Sequence, residues 1–558
     1  MRKRSVPPQN ADGRPDQAGE PVVTTCRCCN GEVTFPQYNL QSFPWRVTAV
    51  LWLLVMIMMA SVPFLAKIVP PPQRTDIRWW MTGVVYHMSP PAAGEHHHLK
   101  EFLSKKVTEL NELGINIVRV SNFFRSTSDG AVLDYMSLNP AYGSMADFLS
   151  SMELLKSNDI RMIIDVPLAY TSNTHHWFSE DTRNITRDNV YLWNKVPETI
   201  EDGHLNSFWS KNNIRQEYYR HVKDHPEWAL MDYSSGSARQ RMETVFYYWL
   251  QYGVSGFILL NCDKVLLHDQ EEYYSENYVQ CEHPEGVKLK KLAEVIRSFK
   301  VNLSKKPHNY SDPDDMNNIL MGMDIDCVED GIWNRLYESG VDLVINKHLA
   351  LSSFDNNSPS FNPVHLHRQV RQTLSRVPRS YRHNWKICDE SFHLDIRQDE
   401  NTLKLVNMIH LLLPGTAFIC DGQLPQKQSV KYTAAREHIR ALISWKRTPA
   451  MSWGETALNE VVGNVFSFVR YASGKVYPRY IIIINFGDVA VRRNFTMSRR
   501  GLVVPDLAIL RYFTCAPDSS HRPDPALRYT NNSPIYMNDT YLRPGCGLLA
   551  ELKLKVFF

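Results

Sequence analysis

Charge of one sign is scarce in this 558-residue chain: 62 Lys and Arg stand against 59 Asp and Glu, a net of +3. That balance leaves no basic footprint for nucleic acid. Long uncharged runs are equally scarce. A stretch of twenty residues without a charge occurs once, from Val47 to Ala66, VTAVLWLLVMIMMASVPFLA. About 20 apolar residues match the hydrocarbon thickness of a bilayer. The run starts too far into the chain for a cleaved signal peptide. It predicts one transmembrane helix over 47–69, with Arg46 and Trp52 placed as interface anchors and Pro63 tolerable near the outer end. The run also lacks any ionisable residue that would mark an ion route, and a single helix cannot enclose a transport path.

Two further absences orient this span. No Asn-X-Ser/Thr triplet precedes it, whereas seven follow it, at Asn184, Asn302, Asn309, Asn356, Asn494, Asn531 and Asn538. Beyond the span only Lys67, Arg74 and Arg78 are basic at first, while Arg2, Lys3, Arg4, Arg14, Arg27 and Arg46 lie before it. Both biases predict a type II membrane protein with a cytoplasmic N-terminus. Residues 1–46, rich in Pro, Gln, Asp and Gly, read as a disordered tail, and residues 70–78 as a short stiff neck. Of the ten cysteines, Cys26, Cys28 and Cys29 fall on the cytoplasmic side, as palmitoylation sites or unmodified thiols. Cys515 with Cys546, and Cys262 with Cys281, are the candidate bridges. The remaining outer cysteines are Cys327, Cys388 and Cys420, so the odd outer count leaves one without an internal partner.

Short β-branched runs alternate with helical patterns from residue 79 to 447. The strands expected are GVVYHM, INIVRV, RMIIDV, GFILL, NILMGM, VDLVIN, NWKIC and TAFIC. Between them lie helical stretches such as HLKEFLSKKVTELNEL and SARQRMETVFYYWLQY. Eight such strands imply an α/β fold, a (β/α)8 barrel with its site at the C-terminal strand ends. Residues 173–233 are too many for a barrel loop and predict a small inserted subdomain. Residues 448–558 turn to strand patterns and predict a C-terminal antiparallel β domain.

The order VVYHMSP, GINIVRVSNFF, DYMSLNPAYGSMADF, IRMIIDVPLAYTSNTHHWF, GVSGFILL, LLLPGTAFICDGQ and FSFVRY…IIIINFGD resembles the α-amylase family of glycoside hydrolases, over about Trp79 to Gly487. With one span and a tail ahead of it, the chain resembles heavy subunits of the heteromeric amino-acid transporters, and its insert resembles the rBAT type. The resemblance also locates where a glycosidase site would be. Such chemistry needs two carboxylates flanking the bond. The family's G-F-R-x-D motif reads Gly256-Phe257-Ile258-Leu259-Leu260, so Ile258 stands at the arginine and Leu260 at the nucleophile. An isobutyl group cannot attack an anomeric carbon. In the D-x-x-x-N-H motif Asp165 is kept, but the last two positions are Ala169 and Tyr170, which removes an oxygen ligand for calcium. The acid position falls at Met323 or Asp324. Ser391 takes the aspartate position near the seventh strand, unless a slip places Asp389 there. Asp263 reads as a capping or solvated residue, and His175-His176 and the run His96-His97-His98 as loop residues rather than a metal site.

These replacements predict a barrel that is not an enzyme and holds no cofactor or metal. By resemblance, its partner would be a multi-span amino-acid transporter light chain at the plasma membrane. The family usually joins its subunits through a neck cysteine, and Lys67 to Trp80 contains none. The expected association is therefore non-covalent. A membrane-anchored α-glucosidase and an adhesion or receptor ectodomain are the competing readings.

Overall fold

The computed structural model describes residues 77–88, 98–184, 188–195, 208–262, 265, 287–305, 319–325, 336–338, 340–346, 354–355, 358–377, 381, 383–387, 400–420, 424, 430–472, 477–496, 503–515 and 529–553, and before these only 23–25, 32–34 and 50–56. The chain divides into two compact units, residues 1–73 and 74–558. In the first, Val23–Thr25 pairs antiparallel with Glu32–Thr34. Residues 50–56 are helical, and all their side chains are exposed. The rest of the expected span lies outside the described residues. Among the described residues no helix is long and apolar enough to cross a membrane.

The second unit begins its sheet with eight parallel strands: β1 Val84–Met88, β2 Ile117–Val120, β3 Arg161–Pro167, β4 Gly256–Leu260, β5 Leu320–Asp324, β6 Leu343–Val344, β7 Asn384–Lys386 and β8 Thr416–Cys420. Their order is β6-β5-β4-β3-β2-β1-β8-β7. The ring closes between β6 and β7 through one backbone bond, from the Lys386 N–H to the Asn346 carbonyl at 3.1 Å, and through the Asn384 side chain. Asn384 accepts from the Asn346 N–H at 2.8 Å and donates to the Val344 carbonyl at 2.6 Å. Helices α1 Leu99–Leu113, α2 Met145–Lys156, α3 Gly236–Gln251, α4 Val287–Ser304, α5 Pro363–Arg376, α6 Glu400–Leu412 and α7 Val430–Lys446 connect the strands. This is the predicted (β/α)8 barrel, with all eight expected strand runs in place.

Local chemistry sets the helix ends. α1 stops at Gly114, whose φ of 83° suits a residue without a Cβ. α2 starts with a reciprocal capping box between Ser144 and Asp147. The strands are buried on both faces, so their alternation separates two apolar populations. Val118, Val120, Met162, Ile164, Phe257 and Leu259 pack with the helices. Ile117, Ile163, Ile258, Leu320, Leu343 and Phe418 form the barrel interior together with Trp80. Trp80 belongs to a 3-10 turn, Trp79–Thr82, and its carbonyl accepts from Thr416 Oγ1 at 2.5 Å. That turn closes the N-terminal end of the barrel. Arg78, just before it, pairs with the buried Asp342 at 2.9 Å.

Between β3 and α3 a five-stranded sheet is inserted, built from Tyr170–Ser172, Trp193–Asn194, Trp209–Lys211, Tyr218–Val222 and His225–Leu230. After the barrel comes a C-terminal β domain. Its strands are β9 Glu455–Leu458, β10 Val465–Tyr471, β11 Arg479–Asn485, β12 Val491–Arg493, β13 Leu507–Phe513, β14 Pro534–Tyr536, β15 Thr540–Leu542 and β16 Cys546–Leu552. Six form one sheet, ordered β9-β10-β11-β16-β13-β14, and β12 pairs with β15. Phe466, Phe468, Ile482 and Ile484 on one face join the barrel core, while Val469, Ile481 and Ile483 on the other build a separate core.

Cys515 and Cys546 are joined in a disulfide, with their Cα atoms 5.4 Å apart. The expected Cys262–Cys281 bridge is corrected. Cys262 is a buried thiol just beyond β4, its Sγ turned toward the Leu260 carbonyl at 4.0 Å. Cys420 is disulfide-bonded as well.

Candidate functional site at the barrel mouth

The polar residues of the barrel interior follow from strand phase. Period-two alternation that turns Ile117 and Ile163 inward turns Arg119 and Asp165 inward one step nearer the C-terminal end. The same phase brings in Asp324 on β5. Met323 faces the helices and is fully buried there, so of the two residues at the expected acid position only Asp324 reaches the interior.

These groups form one buried network. Arg119 Nε donates to Asp165 Oδ1 at 2.7 Å, and its Nη2 donates to Asp165 Oδ2 and to Asp324 Oδ2, both at 3.0 Å. Burial pulls the Arg119 guanidinium down, but the charges of Asp165 and Asp324 outweigh that effect and hold it above its ordinary value. Ser121 Oγ donates to Asp165 Oδ2 at 2.7 Å and lies 2.6 Å from His87 Nε2. Because the single hydroxyl proton goes to Asp165, His87 is the donor in that second bond. A nucleophilic serine needs the reverse, with its proton passed to the histidine. The His87–Ser121–Asp165 chain therefore holds Asp165 in place and is not a hydrolytic triad.

Leu260 ends β4 beside this network, in register with Pro167 on one side and Asp324 on the other. Ile258, two residues earlier, is fully buried in the interior apolar cluster. Tyr170 lies just beyond β3. Its hydroxyl receives a bond from Asn261 Nδ2 at 3.3 Å, and its ring stacks on Trp228 of the insert, with centroids 4.9 Å apart and planes within 3°. His225 also stacks on Trp228, with centroids 4.2 Å apart and planes within 10°, and the indole Nε1 donates to Asp129 at 2.5 Å. Ser391, Asp389 and Asp263 lie outside the described residues.

His175 and His176 serve the helix that follows them. The His175 ring is buried, its Nδ1 accepts the Trp177 N–H at 3.1 Å, and burial pushes it down to about 3. His176 stacks on it at 4.4 Å from the exposed side. Arg119 is the residue that the motif reading passed over. Its signal is a lone charge in the middle of INIVRV, a strand apolar on both faces.

Comparison with known proteins sets this geometry in context. The alpha-amylase catalytic domain family matches residues 102–449, and the chain belongs to that family. The amino acid transporter heavy chain SLC3A1 of Homo sapiens is 22% identical over 386 residues, 62% of this chain and 53% of that protein. The oligo-1,6-glucosidase of Parageobacillus thermoglucosidasius is 28% identical over 196 residues, 32% of this chain and 34% of that enzyme. The chain thus spans between a third and three-fifths of the length of the curated relatives it matches. Among solved structures, the trehalose-6-phosphate hydrolase TreA of Bacillus licheniformis superposes with a TM-score of 0.64 at 14% identity, covering 86% of this chain and all of that one. The trehalulose synthase MutB of Pseudomonas mesoacidophila does so at 0.64 and 17%, covering 87% of this chain and again all of that one. At such identities the superpositions establish the fold.

Proposed function

We propose that this chain is a non-catalytic heavy subunit, which binds a multi-span amino-acid transporter light chain and supports its folding and delivery to the plasma membrane. The observation that carries this reading is the Arg119 bridge. Retaining hydrolysis needs one carboxylate free to attack and another free to protonate. Here Asp165 and Asp324 are both bound to one guanidinium, and the position read as the nucleophile is Leu260. The similarity to SLC3A1 heavy chains supplies the class of partner. The proposed topology is type II, with the span at 47–69 and the barrel outside. Without a cysteine between Lys67 and Trp80, the partner is held non-covalently.

Co-expression with candidate light chains tests the proposal. Surface delivery and amino-acid uptake that depend on this chain are expected; light chains that behave identically without it would sink the idea. A disulfide-linked heterodimer on non-reducing gels would overturn the non-covalent part. The glucosidase reading rests on the similarity to oligo-1,6-glucosidase. Release of p-nitrophenol from its α-glucoside by the purified protein would establish that reading instead.

A further inference from the structure

Five of the seven glycosylation triplets fall on described asparagines, and their surroundings differ. Asn302 lies inside α4, is half-buried, and donates from Nδ2 to Glu243 of α3 at 2.8 Å. Leu303, the middle residue of that triplet, is 1% exposed. A glycan on Asn302 would have to displace this interhelical bond and enter the α3–α4 contact. Asn184, Asn494, Asn531 and Asn538 are exposed. The Asn494 side chain accepts from Thr496 through Oδ1, at 2.8 Å from the N–H and 2.7 Å from the hydroxyl, which leaves Nδ2 for a sugar.

Three of these sites share one place in the fold. Among the described residues β14 is an edge strand of the six-stranded sheet, paired on its inner side with β13. Asn531 precedes β14 by three residues and Asn538 follows it by two. Asn494 lies alongside Asn538, because Arg493 pairs with Thr540 and the Phe495 N–H donates to the Met537 carbonyl at 2.7 Å. The edge they surround is apolar. Tyr536 is 62% exposed, Leu507 opposite it is 39% exposed, and Pro534 is exposed too. An open edge carrying exposed apolar side chains is a template for pairing with another chain. Bulky, soluble carbohydrate at its two ends would block that approach.

We propose that N-linked glycans on Asn531 and Asn538, joined by one on Asn494, cover the open β14 edge, and that Asn302 carries none. The donor is a lipid-diphosphate-linked oligosaccharide. The asparagine Nδ2 forms a bond to the anomeric carbon and gives up a proton, and the bond from that carbon to the diphosphate breaks as the lipid diphosphate leaves. The inference rests on the type II reading, which puts the barrel on the side of the membrane where this transfer occurs.

The test uses the full chain made in mammalian cells and digested with an N-glycan amidase. Removing Asn494, Asn531 or Asn538 singly, as Asn→Gln, is expected to abolish one glycan step in gel mobility each, and Asn302→Gln none. If Asn184→Gln loses a step while Asn531→Gln and Asn538→Gln do not, the topology stands and this inference falls. If the amidase shifts nothing, the topology itself is wrong and the inference goes with it. The shielding role has its own readout. The Asn531→Gln/Asn538→Gln variant in detergent should elute partly as aggregate, and adding Tyr536→Lys should restore a single peak. A double variant that stays monodisperse overturns the shielding.

Discussion

Arg119 grips Asp165 through two nitrogens, at 2.7 and 3.0 Å, where each side chain is only 2% exposed. A two-pronged guanidinium–carboxylate pair of this kind is both strong and directional. Its loss is correspondingly costly, because a buried charge without its partner pays its full desolvation. Arg119→Leu should destabilise the protein by about 3–5 kcal/mol, since it leaves Asp165 and Asp324 facing each other. Replacing all three residues by apolar ones should recover most of that loss. Urea unfolding of the single and triple variants, compared with the parent, checks both statements.

Restoring one carboxylate should not restore hydrolysis. Leu260→Asp would put an acid at the end of β4, in lateral register with Asp324. Arg119 would still hold both existing aspartates, and Tyr170 would still be committed to its stack on Trp228. The expected result is p-nitrophenyl α-glucoside turnover at background for both the parent and Leu260→Asp. Measurable turnover in the variant alone would show that the rest of the site is still competent.

The barrel was legible because strands buried on both faces are written as β-branched runs, and INIVRV, RMIIDV and GFILL carry no competing helical period. The ungapped motif reads Leu260 at the nucleophile position, and the proposed loss of hydrolysis rests on that reading. Arg119 was not legible. Its meaning depends on which face of β2 points inward and on reaching Asp324, 205 residues away in sequence. The alternative of Met323 or Asp324 stayed open for the same reason, because a one-residue slip reverses the face. The Cys262–Cys281 pairing rested on spacing, which says nothing about where a side chain points. The transmembrane run is plain as a hydropathy pattern, but only residues 50–56 of it are described.

Acid should weaken the fold through buried neutral histidines. Burial pushes His175 and His410 down to about 3 and His438 down to about 4. In the unfolded chain each titrates near 6.5. Between those limits the unfolded state binds more protons, so stability is fully present above pH 6.5 and falls as the pH drops toward 4. The limiting slope is about 1.4 kcal/mol per pH unit for each histidine. His438 bridges α7 to the C-terminal domain: it lies 2.6 Å from the Tyr512 hydroxyl and 3.0 Å from the Lys404 carbonyl. Accepting from the tyrosine requires the neutral ring. His438→Gln keeps a donor and an acceptor without titrating, and should flatten the fall of Tm between pH 6.5 and 4. An unchanged slope would assign the acid sensitivity elsewhere.

The Cys515–Cys546 disulfide should contribute more to the C-terminal domain than its contacts alone would. β13 and β16 are already paired next to it, with Phe513 opposite Leu548 and the Thr514 N–H donating to the Gly547 carbonyl at 3.0 Å. The bond therefore adds no new neighbours; it constrains the unfolded chain. Its loop spans 31 residues and contains both β14 and β15. The chain-entropy relation gives about 3.7 kcal/mol for a loop of that length. Cys515→Ala/Cys546→Ala should lower stability by roughly that amount, leaving the barrel network untouched. Reducing agent is the poorer test, because it also breaks the Cys420 disulfide at the end of β8. Hydrogen exchange on the double variant separates the two regions: amides of β13, β14 and β16 should lose protection while those of β2 and β3 keep theirs. Equal loss in both would mean that the barrel and the β domain unfold as one unit, as their shared core of Phe466, Ile482 and the barrel helices would then require.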